Sequence, residues 1–379
     1  MHILIAPNAF KNSLNARQVA DAIQQGLKLS GLNCTSTCFP IADGGDGTGS
    51  LIVETCKGEI VWKEVNDPFG RKIKASFGLI EERKTAVIEM ADASGLRLLK
   101  KDELNPLQAS SFGTGELIKF ALDEGVSKIV LAMGGSATVD GGCGILNALG
   151  INFLNANGNK LKAIPNNLIN LAKIDFAALD KRIYDCDLVV LCDVDNMLLG
   201  EKGSAAVFGP QKGATPDMVK ILDGFLASFA KLSLLATGKN MADVKHGGAA
   251  GGAAAGLYAC LNAKLVNGIG HFLSLTNFNS ALNQADLVIT GEGSIDQQTL
   301  SGKGPYGVAV AAKAQDIPVI GIAGNIPPQI DENLRQYFHV LVSINNEPVD
   351  LVTAMANTTK NLTRTATAIG DLIALKKCP

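Results

Sequence analysis

The chain has 379 residues, enough for roughly two to three domains at the usual ~150 residues each, and two are expected. Its 34 Lys and Arg against 36 Asp and Glu leave a formal charge of -2, which excludes the basic field that a nucleic acid backbone or an anionic membrane requires and favours a small-molecule ligand. A hydrophobic content of 47% excludes a disordered chain, and the 41 glycines imply structured, glycine-lined loops.

The start, MHILIAPNAF, has no basic stretch ahead of an apolar one, and no apolar run approaches the ~18 residues of a membrane span, so a soluble, unexported, cytoplasmic protein is expected. HILIAP reads as a short strand. NARQVADAIQQGLK follows with Val19, Ala22, Ile23 and Leu27 on one helical face, and Asn15 and Gln18 have the spacing of a capping box. TCFPIA then runs into DGGDGTG, where Asp43 and Asp46 stand among glycines; a tight turn and a binding loop are both open readings. EIVWKEV, KIKASFGLI and KTAVIEM, separated by NDPFGR and EERK, predict an antiparallel meander.

From Ser110 the α/β alternation resumes with helical GELIKFALDEG, strand KIVLAMG, helical GCGILNALG and, after a long connection, strand DLVVLCD. The glycine run HGGAAGGAAAG at 246–256 fits either close helix packing or a loop facing a nucleotide. DLVITG, PYGVAVAAKAQ with Pro305 at its first helical position, PVIGIAG and the helical tail VTAMANTTKNLTRTATAIGDLIALKK complete the chain. The order predicts an α/β fold of two domains. Residues 1–62 with 280–379 form one discontinuous unit, residues 63–279 an inserted unit carrying the meander, and the active site is expected in the cleft between them.

The eight cysteines show no CxxC pair and no Cys/His ligand spacing, so buried free thiols are expected. His2, His246, His271 and His339 share no ligand spacing either, so no zinc site is assigned, although His246 is placed to line a glycine-rich cleft.

Four apolar strands run straight into glycine-and-carboxylate clusters: TCFPIA into DGGDGTG, KIVLAM into GGSATVDGG, DLVVLC into DVDN, and DLVIT into GEGSID. In open α/β sheets, ligands bind beyond the carboxyl ends of strands, where loops feed helix N-termini. Gly134, Gly135, Ser136, Ala137 and Thr138 would turn N–H groups and hydroxyls toward a phosphate at the N-terminus of the following helix, with Asp140 available for a cation. Asp193 and Asp195 alternate along an extended backbone, project to one side, and would raise each other's proton affinity unless a cation lay between them. Glu292 and Asp296 follow their strand in the same way, while Lys212 and Lys303 sit between glycines as point charges for an anion. GxxxxGK[ST], GxGxxG after a strand, and HRD with DFG are all missing.

IAPNAFKNSL, PIADGGDGTG, MGGSATVDGG, CDVDN, VFGPQKGAT and VITGEGSIDQQT, in this order and spacing, resemble the motif series of the bacterial-type (class I) glycerate kinases along nearly the whole chain. The resemblance implies a flavodoxin-like unit with a restriction-endonuclease-like insertion. It also implies transfer of the ATP γ-phosphoryl group to D-glycerate with magnesium, most often giving 2-phosphoglycerate. The chain departs from the family's usual Asp-Ser at Asn8 and Ala9, Asn at Val139 and Arg at Ser294.

On that resemblance Asp193, Asp195 and Lys11 are candidate catalytic residues, with Asp193 accepting the hydroxyl proton and Asp195 holding magnesium, a division that the residues leave open. Arg71, Asp43, Asp46, Ser13 and Asn196 are candidates for glycerate. Gly134 to Thr138, Lys212, Gly247, Gly248, Glu292 and Lys303 are candidates for ATP, and Asp195, Asp140 and Asp296 for the metal. Phosphorylation at C3 or of a related hydroxy acid, a non-catalytic sensor of phosphorylated sugar acids, and a homodimer stay open; a nicotinamide oxidoreductase lacks its fingerprint.

Overall fold

The computed structural model describes residues 1–330 and 332–375; Cys378 and the last two residues of the expected tail helix, Lys376 and Lys377, lie outside them. The chain opens with strands β1 (His2–Ile5) and β2 (Thr35–Cys38). It continues through β3 (Glu59–Asn66), β4 (Lys72–Ile80), β5 (Thr85–Glu89), β6 (Lys128–Ala132), β7 (Asn152–Leu154), β8 (Lys173–Asp175), β9 (Asp187–Cys192) and β10 (Lys264–Asn267). It ends with β11 (Leu287–Ser294), β12 (Val319–Asn325) and β13 (Val340–Ser343).

Two compact units result: Met1–Asp43 with Ile269–Pro379, and Gly44–Gly268. The boundaries differ from the expected 62/63 and 279/280 for local reasons. β3 pairs with β4 along its whole length, and a Cβ at Gly78 of β4 would lie 2.0 Å from the Val53 side chain, so the helix Thr48–Thr55 and β3 both belong to the inserted unit. At the other end Ile269 packs on Gly307, and Phe278 meets Phe39 edge-on at 5.1 Å, which ties residues 269–282 to the first unit.

The first unit is a five-stranded, all-parallel sheet in the order β13-β12-β11-β1-β2. Counted along this unit alone the order is 2-1-3-4-5, the flavodoxin-like arrangement, whose topological switch point lies between β1 and β11. The helix Ala16–Leu29 begins at the expected capping box of Asn15 and Gln18. It packs on the C-terminal helix Thr358–Leu375 so closely that a Cβ at Gly26 would lie 2.3 Å from the Thr363 carbonyl oxygen. The expected single tail helix is interrupted at Asn357, with a short helix Leu351–Ala356 ahead of it.

In the second unit a six-stranded sheet runs β10-β9-β6-β5-β4-β3. β3, β4 and β5 form the expected antiparallel meander, whereas β5, β6, β9 and β10 are mutually parallel. Each unit has its own apolar core, including Ile3, Ile5, Ile23 and Ile289 in the first and Ile88, Leu131, Val190 and Phe229 in the second. Among the described residues no helix is long and apolar enough to cross a membrane.

Candidate functional site

Because β5, β6 and β9 are parallel, their carboxyl ends emerge at one edge of the second sheet, bringing Glu89, the 134–138 loop and the 193–196 loop to that edge. The segment after Asp43 joins them. Gly134 N–H donates to the Gly44 carbonyl at 3.0 Å, and a Cβ at Gly134 would lie 2.2 Å from the carbonyl carbon of Gly45, so only glycine permits this approach. Gly47 N–H, and Ser50 N–H at 3.4 Å, donate to the Glu89 carboxylate at the start of the helix Thr48–Thr55. Burial pushes the Glu89 carboxyl up, with the Gly47 N–H opposing. Arg97 binds Asp46 at 2.9 Å and also Asp92, and its guanidinium lies 3.9 Å from Glu89.

The 193–196 loop is braced by the glycine run. Gly248 N–H donates to the Asn196 carbonyl at 2.8 Å, and a Cβ at Gly248 would lie 2.5 Å from the Met197 carbonyl oxygen. His246 holds a left-handed backbone at φ 68°, and its Nδ1 donates to the Val194 carbonyl at 2.8 Å, with Asp195 Oδ1 at 3.1 Å. Lys245 adds an ion pair to Asp195 at 3.4 Å. Asn196 donates its side-chain amide to the Lys202 carbonyl at 2.8 Å, so that group shapes its own loop. Further along, a Cβ at Gly251 would lie 2.0 Å from the Thr138 carbonyl oxygen, so this part of the glycine run packs closely on neighbouring backbone. Asp193 is half-buried and the Asp195 side chain is exposed.

The 134–138 loop differs from the expected phosphate cradle at a helix N-terminus. The helix that follows, Cys143–Ala148, is short, and Asp140 already occupies its start by accepting from Gly142 N–H at 3.0 Å and Gly144 N–H at 3.1 Å. The Ser111 N–H and hydroxyl, at 2.8 and 2.7 Å, complete a fully buried carboxylate with four donors. Asp140 therefore serves as an internal anchor, a poor fit to the expected metal ligand. Lys212, expected as a point charge for an anion, is 2% exposed; its Nζ is hydrogen-bonded to Ser136 Oγ at 2.9 Å and donates to the Thr138 carbonyl at 2.7 Å. Thr138 Oγ1 is buried without a hydrogen-bond partner in the protein. The Gly135 carbonyl accepts from Leu96 N–H, and Ala137 N–H donates to the Ser94 carbonyl, both at 2.8 Å, stitching this loop to the segment that carries Arg97.

In the first unit a separate cluster forms at the switch point. Asn8, just past β1, donates its amide to buried Asp43 at 2.9 Å, and Asp43 also accepts from Gly304 N–H at 3.2 Å, capping the helix Gly304–Lys313. Glu292, on β11, is buried and accepts from Thr299 Oγ1 at 3.1 Å. Burial pushes its carboxyl up to about 7, helped by the Asp43 charge, while Lys303 and, less strongly, Lys11 pull it down. Folded Glu292 thus holds a proton that the unfolded chain has already lost between pH 4.5 and about 7, so its contribution to stability is full below that window and fades as pH rises through it. Glu292→Gln, with no charge to bury, should gain stability relative to the wild type between pH 5.5 and 8 in urea unfolding; a pH-independent difference would contradict this.

Other expected site residues fall elsewhere. Arg71 is half-exposed at the β3–β4 hairpin and pairs with Asp67 at 2.5 Å and Glu103 at 2.8 Å. The Ser13 hydroxyl bonds the Met355 carbonyl and Thr358 Oγ1, both at 2.8 Å, fastening its loop to the C-terminal helices. Asp296 caps the turn Gln297–Ser301 by accepting from Gln298 N–H at 2.8 Å. Asp43 and Asp46 fall in different units, since the boundary runs between Asp43 and Gly44. Glu89, Asp92 and Arg97 were not singled out from the sequence. For Glu89 a signal existed: KTAVIE ends in a carboxylate just as the other strands do, but its place in the meander hid it.

The glycerate kinase family model matches residues 3–374. A glycerate kinase of Halalkalibacterium halodurans is 49% identical over 86% of this chain and 85% of its own length. One of Bacillus subtilis is 44% identical over 100% and 99%, and a glycerate 2-kinase of Escherichia coli is 42% identical over 91% of each. The crystal structure of a Salmonella typhimurium LT2 protein described as a candidate glycerate kinase 2 superposes with a TM-score of 0.84 at 42% identity, over 100% of this chain and 99% of the other. With its two α/β units and its glycine-and-carboxylate loops at strand ends, the chain belongs to the glycerate kinase family and is a kinase.

Proposed function

We propose that the protein transfers the γ-phosphoryl group of ATP to D-glycerate and releases 2-phosphoglycerate. The observation that carries this reading is the convergence of Glu89, the 134–138 loop and the 193–196 loop on one edge of the second sheet. The naming of the Escherichia coli relative as a glycerate 2-kinase favours the 2-phosphate over the 3-phosphate. Phosphoryl transfer asks a protein for positioning and charge neutralisation more than for covalent chemistry, and a braced loop at a strand end provides positioning.

Asp193 accepts the proton of the reacting hydroxyl, and Asp195, oriented by His246 and Lys245, faces solvent beside it. The backbone and hydroxyls of the 134–138 loop bind nucleotide phosphates. Lys303 and Lys11, which both act on the Glu292 charge, offset substrate anions in the first unit. Arg71 is already gripped by two carboxylates, so a role in holding the glycerate carboxylate requires it to exchange one of them.

Among the described residues no three His, Cys, Asp or Glu side chains are grouped to hold a metal ion. That suits magnesium carried on nucleotide phosphates with one or two protein carboxylates, and Asp195 fits this better than the fully bonded Asp140 or the helix-capping Asp296. Bound there, magnesium would neutralise charge on the transferred group. A cytoplasmic location, with ATP and glycerate as its small-molecule partners, accords with this activity. The test is product analysis by phosphorus NMR after incubation with ATP, magnesium and D-glycerate, with a chelator arm expected to stop turnover.

A further inference from the structure

Lys212 closes the turn Pro210–Lys212 and reaches the 134–138 loop with its side chain. Its two hydrogen-bond acceptors, Ser136 Oγ and the Thr138 carbonyl, are both neutral, and among the described residues no carboxylate lies within ion-pair distance of Nζ. Asp140 is the charged group that faces it, and the oxygens of Asp140 are taken by four other donors. A buried ammonium with three N–H groups, two neutral acceptors and no counter-ion is poorly accommodated. A neutral amine fits better: it donates one N–H to the Thr138 carbonyl and accepts the Ser136 O–H with its lone pair. Burial accordingly pushes the amine down to about 7, with Asp140 pulling the other way.

We propose that Lys212 is a positioning residue that holds the 134–138 loop as a neutral amine in the ligand-free protein and takes up a proton from solvent when a polyphosphate binds at Ser136. The inference rests on the reading that nucleotide phosphates bind at this loop. The incoming phosphate supplies the counter-ion that Lys212 lacks, so Nζ gains a proton and the ammonium then donates to Ser136 Oγ. That frees the Ser136 hydroxyl hydrogen to turn toward the phosphate. The partnerless Thr138 hydroxyl on the same loop is a second donor that a ligand would satisfy. By linkage, ATP affinity falls as pH rises above about 7, and uptake vanishes well below 7, where Lys212 already carries the proton.

Calorimetric titration with magnesium-ATP, without glycerate, in pairs of buffers of different ionisation enthalpy reads the proton count directly. The full-length wild type should take up about one proton per ATP at pH 8 and almost none at pH 6. Lys212→Met should show no uptake at pH 8, and in the wild type the uptake should rise as pH increases through about 7. Wild-type binding with equal heats in both buffers at pH 8 overturns the inference while leaving the nucleotide reading intact. Uptake that is the same at pH 6 and pH 8 also overturns it, even if Lys212→Met does not fold. Failure of ATP to bind the wild type at all removes the underlying reading instead.

Discussion

Asp193→Asn is expected to lower kcat by about 10²- to 10⁴-fold, the range for loss of a general base, while leaving the thermal unfolding midpoint near that of the wild type. Asparagine keeps the size and hydrogen-bonding capacity of the side chain and loses only the ability to take a proton. Asp193 follows β9 at the sheet edge where the 134–138 loop also emerges, and it is half-buried, which shields a carboxylate from bulk water without sealing it off. Asp195, two residues on, is exposed and already shared between His246 and Lys245, so it is less free to take the hydroxyl proton than to meet a cation from solvent. The same substitution at Asp195 should therefore act more on magnesium dependence than on the proton-transfer step. Steady-state kinetics with circular dichroism melts of both variants check this; near-normal turnover of Asp193→Asn would remove Asp193 from the base role.

The second large effect is on stability. Asp140→Ala removes one carboxylate and leaves the Ser111 N–H, the Ser111 hydroxyl, Gly142 N–H and Gly144 N–H without their acceptor inside the protein. At about 1–3 kcal/mol for each buried donor left unmet, partly relieved by relaxation, a loss of about 3 kcal/mol or more is expected. Urea unfolding measures it. A metal-ligand role predicts the opposite pattern, a small stability change with a large rise in the magnesium requirement. A shift of the urea midpoint within error of the wild type would contradict the anchoring role.

Much of the fold was legible in the sequence because the two periodicities are local. HILIAP, DLVVLCD and DLVITG read as strands from unbroken apolar runs, and Asn15 with Gln18 announced the first helix. The rule that strands end in glycine-and-carboxylate loops also located the edges that matter. What the sequence could not show depends on contacts between distant segments. Lys212 between glycines reads as a point charge for an anion, yet the fold buries it against residues more than seventy positions earlier. Asp140 reads as an available carboxylate until Ser111 arrives from another segment to occupy it. Asp43 and Asp46 look like one acidic motif, but the unit boundary passes between them, and each finds its partner elsewhere: Asp43 in Asn8, Asp46 in Arg97. Arg97 carries no local signal at all, since a lone arginine after SGL is indistinguishable from a surface residue. The HGGAAGGAAAG run was ambiguous for a related reason: glycine reports that something comes close without saying whether it is a ligand or, as found, neighbouring backbone.

The most direct measurement is the reaction itself: purified protein with ATP, magnesium and D-glycerate, followed by phosphorus NMR. The expected result is stoichiometric formation of ADP and 2-phosphoglycerate, abolished by a chelator and reduced by orders of magnitude in Asp193→Asn. Glycerate that stays unphosphorylated in the presence of folded protein and intact ATP, or a product that is only 3-phosphoglycerate, would contradict it.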